Sequence, residues 1–98
     1  MPIRHVVAFR FKEGTSPEQV TALTDGLALL PGLIPEVAAY HFGPDVGIND
    51  GNADLAVTAD FATLADYLVY RDHPDHQALI RDLVAPILAE RMAVQFGT

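Results

Sequence analysis

The 98-residue chain carries thirteen acidic against six basic residues, a formal net charge of −7, and half of its residues are hydrophobic. That suits a single domain over residues 1–98 with enough apolar material for a core. The basic residues (Arg4, Arg10, Lys12, Arg71, Arg81 and Arg91) are too scattered to grip nucleic acid or an anionic membrane, and the absence of cysteine excludes disulfides and thiolate catalysis.

Ile3 to Lys12 alternates, with Ile3, His5, Val7, Phe9 and Phe11 on one face, and reads as the first strand. Thr15-Ser16-Pro17-Glu18-Gln19 then supplies a cap, a proline for the first helical position and an acid for the first turn. Val20, Leu23, Leu27 and Leu30 recur at helical spacing, and Pro31-Gly32 is expected to stop this helix near residue 30. Val37 to Phe42 is a short second strand, closed by Gly43-Pro44. The Gly-, Asn- and Asp-rich stretch from Asp45 to Asn52 is a loop.

Leu55, Val57, Ala59 and Phe61 alternate with polar or small residues and give a third strand. Thr63 to Tyr70 is a short helix, with Thr63 as cap and Asp66 three residues on. Pro74 starts the next helix, capped by Asp72 or His73, with Leu79, Ile80, Leu83 and Val84 facing inward and Pro86 interrupting it. Glu90 to Phe96 is the last strand. The order β-α-β-β-α-(α)-β is that of an α+β, ferredoxin-like fold: a four-stranded antiparallel sheet with helices on one face.

The opposite sheet face is assigned Val6, Ala8, Ala56, Thr58 and Ala93, small and mostly apolar. Helices cover only one face, so a second sheet from another copy is the expected cover, giving a homodimer. No signal peptide is seen, and no stretch reaches the ~20 apolar residues of a membrane span. A cytoplasmic protein is expected.

Chemistry concentrates in Tyr70-Arg71-Asp72-His73-Pro74-Asp75-His76. With Pro74 first, His76 is the third helical residue, where the positive end of the helix disfavours imidazolium. His76 is therefore expected to be neutral near pH 7 and able to accept a proton, with Tyr70 about a turn upstream as donor. His5, between Ile3 and Val7, is a polar side chain on an apolar face and needs a partner there. His73 reads as a cap and His41 as structural. No third ligand joins His73 and His76 at fixed spacing, so no side-chain metal site is expected.

Four segments together resemble the stress-responsive α/β-barrel (Dabb) family of dimeric ferredoxin-like barrels. They are His5-Val6-Val7 with Phe9 and Phe11-Lys12, Leu30-Pro31-Gly32-Leu33-Ile34-Pro35, Asn52-Ala53-Asp54-Leu55-Ala56-Val57, and Tyr70 with His73-Pro74-Asp75-His76. One plant branch of the family is a cofactor-free polyketide cyclase that performs an aldol condensation. Its tyrosine–histidine acid–base pair matches Tyr70 and His76, and a strand-1 histidine matches His5. A third cleft histidine of that branch falls on Leu55 here, and a helix-1 tyrosine on Leu27. Backbone carbonyls near the end of helix 1 hold a magnesium-type ion in the plant proteins; the corresponding region is Pro31 to Val37.

The resemblance implies three readings. The first is a cofactor-independent enzyme in an apolar cleft, with His76 as base, Tyr70 as donor to a developing enolate and His5 orienting or polarising. The others are a non-catalytic, stress-associated dimer that binds a small molecule, and a cofactor-free monooxygenase of a related barrel family.

Overall fold

A computed structural model covers all 98 residues and has the expected architecture. Strands β1 (Ile3–Phe11), β2 (Ala39–Pro44), β3 (Leu55–Phe61) and β4 (Leu88–Gly97) form one antiparallel sheet in the order β2-β3-β1-β4. Helices α1 (Pro17–Leu33), α2 (Leu64–Asp72) and α3 (Pro74–Leu79) complete the fold, α3 continuing through a π turn (Ile80–Val84) and a 3-10 turn (Ala85–Ile87). No helix is long and apolar enough to cross a membrane.

The alternation of β1 is realised as burial: His5, Val7 and Phe9 all face the helices. Val57, Ala59 and Phe61 of β3 do the same, and Leu23, Leu27 and Leu30 of α1 close over them with Ile34. At ~1.5–3 kcal/mol for each large aliphatic or aromatic side chain, this shared layer is the main stabilising contribution. Capping follows the sequence. Ser16 and Gln19 form a reciprocal capping box on α1, and Thr63 accepts the amide of Asp66 at α2.

Three expectations need correction. Helix α1 runs through Pro31 to Leu33, because a proline in the last turn removes only one intrahelical bond. The Ile34 amide still donates to the Leu30 carbonyl and closes the helix. Strand β2 lies two residues later than expected, and Gly43 and Pro44 pair with Ala56 and Leu55. Pro44 is tolerated because β2 is an edge strand. Ala93 belongs to the helix side of the sheet, opposite Val7. The residues of β4 on the open face are Met92, Val94 and Phe96, opposite Ala8, Val6 and Arg4. Their exposures of 79%, 54% and 45% make that face more apolar than the sequence reading assumed.

Candidate functional site

A cavity of about 200 Å³ opens between the helix side of the sheet and the α2–α3 corner, and twelve of its seventeen lining residues are hydrophobic. Its floor is His5, Val7 and Phe9 of β1 with Val57 of β3, and its wall comes from α2, α3 and the π turn. In the π turn the Ala85 amide donates to the Ile80 carbonyl, five residues back, and Ile80, Val84 and Ala85 all line the cavity.

The structure brings His5, Tyr70 and His76 to this one cavity. The His73–Pro74 junction positions His76. His73 Nδ1 accepts the amide of Asp75, capping α3, so the chain turns sharply from α2 and folds the His76 ring back over α2. His76 Nδ1 lies 3.0 Å from the Arg71 carbonyl, which also accepts from Gln77 Nε2. A carbonyl can only accept, so Nδ1 carries the proton and Nε2 of the neutral ring is left as a base. The Tyr70 ring lies against the imidazole with centroids 4.2 Å apart, tilted by 33°.

His76 is held below the ordinary histidine range. The helix start was the expected cause. The cause is instead burial, opposed by the bond to the Arg71 carbonyl and reinforced by repulsion from Arg91. His5 is lowered further, to about 4, first by burial and then by Arg91 and His76. It is 4% exposed, and its Nδ1 lies 2.8 Å from the Gln95 amide nitrogen. That nitrogen donates, so His5 Nδ1 accepts and the proton sits on Nε2. The two histidines therefore have opposite tautomers, a base at His76 Nε2 and a donor at His5 Nε2–H. Neither Nε2 has a protein partner, and neither is sealed from solvent.

Tyr70 is 2% exposed and its hydroxyl lies 3.0 Å from that of Tyr40. Burial drives the Tyr70 phenol far above its usual range, and Tyr40 is raised too. Tyr70 can thus offer a hydrogen bond but will not give up its proton near neutrality. Sequence reasoning missed Tyr40, Tyr67, Gln95 and Arg91. The strand pattern carried a sign of Tyr40 alone, which alternates with exposed His41 on β2; Gln95 comes opposite His5 only through the β1–β4 register. The two leucines that replace cleft residues of the plant branch diverge. Leu27 lines the cavity, whereas Leu55 is packed in the core away from it.

His41 lies outside the cavity on the exposed side of β2, and His73 is engaged as a cap. No three histidine or carboxylate side chains converge as a metal-holding group. The turn after α1 is closed by its own backbone bonds, from Ile34 to Leu30 and from Val37 to Ile34.

Residues 3–97 of the chain match the family model described as the stress responsive A/B barrel domain. The chain belongs to that family. A dimeric ferredoxin-like protein of unknown function from Thermobifida fusca YX is 44% identical, with a TM-score of 0.93 over 100% of this chain and 92% of that one. The stress-response A/B barrel domain-containing protein HS1 of Arabidopsis thaliana is 43% identical over 49 residues, half of this chain. That match spans 45% of the plant protein, less than half its length. The hydroxynitrile lyase of Passiflora edulis is 20% identical, with a TM-score of 0.84 over 97% of this chain and 91% of that one, and shares the fold.

Proposed function

We propose that this A/B barrel protein is a homodimeric, cofactor-independent acid–base enzyme acting on a carbonyl compound in the cavity. The observation that carries the reading is the pair of ring-nitrogen contacts in one apolar cavity, His76 Nδ1 to the Arg71 carbonyl and His5 Nδ1 to the Gln95 amide nitrogen, from which the opposite tautomers follow. A carbonyl substrate placed between them loses an α-proton to His76 Nε2 while its oxygen takes a hydrogen bond from His5 Nε2–H. Tyr70, polarised by the Tyr40 hydroxyl behind it, supplies a second donor to the enolate oxygen. Enolisation and aldol closure use this step, and the reverse cleavage runs it backwards, the enolate regaining its α-proton from the His76 imidazolium. The scarcity of water in an apolar cavity strengthens each hydrogen bond to the developing charge.

Dimerisation rests on the open sheet face. Val6, Ala8, Met92 and Val94 form an apolar centre, and Arg4 with Asp60 forms an ion pair at 2.7 Å toward one end. The 44%-identical relative, described as dimeric, supports the same assembly here.

The test is exchange of α-protons. Phenylacetone in deuterated buffer should deuterate faster with the protein than with the His76→Ala variant. Equal rates for the two proteins, with the ketone bound, would sink the enzyme reading. The apolar lining would then favour a binding protein, the second reading.

A further inference from the structure

We propose that the cavity takes a carboxylate-bearing ligand with an apolar body, and that Arg91 is the specificity-determining residue that binds the carboxylate. The inference rests on the reading of this cavity as a ligand site and names the class of molecule it takes. The charges of the lining are one-sided. The chain has thirteen acidic residues and six basic ones, yet the lining includes two arginines and not one carboxylate. Arg71 is already engaged in a two-point pair with Asp72 at 2.9 and 3.1 Å. Arg91 has no such partner: it makes no ion pair and no side-chain hydrogen bond, unlike Arg4, Arg71 and Arg81.

Its position is set by register. Arg91 stands opposite Phe9, Ala93 opposite Val7 and Gln95 opposite His5, so the three β4 residues form a row along the cavity side of the sheet. Four residues of strand put Arg91 about 13 Å from Gln95 along the backbone, with only the methyl group of Ala93 between them. A ligand anchored at Arg91 therefore lays its apolar part over Phe9 and Val7 and presents its far end to His5 and His76. A guanidinium suits this task because its planar donors match a carboxylate at two points. Repulsion from Arg91 also reaches both histidines, which places its charge within electrostatic reach of the cavity's interior.

The experiment compares 4-phenylbutanoate with its neutral isostere 4-phenylbutanamide at pH 7.5, by calorimetry and by shifts of the Val7, Val57 and Val84 methyl signals. The acid should bind the wild-type protein about tenfold or more tightly than the amide, the effect of one charge-assisted, partly hydrated contact. Arg91→Gln should remove the preference, Arg91→Lys should keep part of it, and Arg10→Gln, which removes the same charge from the other sheet face, should leave it intact. Equal binding of acid and amide, or a preference that survives Arg91→Gln, overturns the anion inference and leaves the cavity as a ligand site. Binding of neither compound overturns both. Failure of α-proton exchange with an intact acid preference overturns only the enzyme reading.

Discussion

The imidazole of His76 rests on the phenol of Tyr70, ring centroids 4.2 Å apart, so the two groups share one wall without hydrogen-bonding to each other. Each is held from elsewhere, His76 by the Arg71 carbonyl and Tyr70 by the Tyr40 hydroxyl. The two polar tips can then act on a third molecule. His76→Ala should lower turnover of a substrate by ~10² or more, the loss expected when a general base is removed. Steady-state kinetics check this, and a loss below about threefold would show that His76 is not the base.

Tyr40→Phe separates support from chemistry. It leaves the buried Tyr70 hydroxyl without its partner, at about 1 kcal/mol of stability, which a denaturant midpoint reads. If Tyr40 polarises Tyr70, kcat should also fall, by about tenfold, while KM stays near the wild-type value. An unchanged kcat would restrict Tyr40 to packing.

Much of this was legible because it is local. The alternation of β1 placed His5 inward, and the His73–Pro74 junction placed His76 in the first turn of α3, both within a few residues of sequence. The partners were not legible because they come from afar: Gln95 lies 90 residues from His5, and Tyr40 lies 30 residues from Tyr70. The face of β4 was misread for a related reason. Glu90 to Phe96 alternates, with Met92, Val94 and Phe96 on one face and Arg91, Ala93 and Gln95 on the other, but the apolar set faces away from the helices, and only pairing with β1 shows which set lines the helix side. Ala93, small enough for either face, gave no local sign of its side. The cause of the lowered His76 was likewise hidden, since burial depends on how α2, α3 and β4 meet.

The open face yields a prediction about assembly. The wild-type mass in solution should be near twice 10.6 kDa. Val94 lies opposite Val6 at the centre of the apolar patch, so Val94→Glu would place an unpaired charge in the dimer interface. A penalty on the order of 3 kcal/mol weakens association by about a hundredfold. Light scattering across a dilution series should show the variant dissociating at concentrations where the wild type does not. A monomeric wild type at micromolar concentration would remove the sheet-to-sheet argument.

His5 makes the fold acid-sensitive, and the sign follows from its lowered pKa. The folded-state value is about 4 against an ordinary 6.5, so the unfolded chain takes up a proton first as the pH falls. Stability from this group is fully present above pH 6.5 and is lost progressively as the pH drops from there toward 4. At pH 5 the loss approaches ~2 kcal/mol if the site is dry, and nearer ~1 kcal/mol after discounting for water in the cavity. His76 is lowered as well and acts in the same direction. His5→Leu should remove most of this slope, because the replacement is apolar and the freed Gln95 amide lies at the exposed edge strand. Urea midpoints at pH 7.5 and pH 5 check it: the wild type should lose more stability between the two than His5→Leu, and His5→Leu more than the His5→Leu, His76→Ala double variant. Parallel losses in all three would show that neither imidazole is held neutral by the fold.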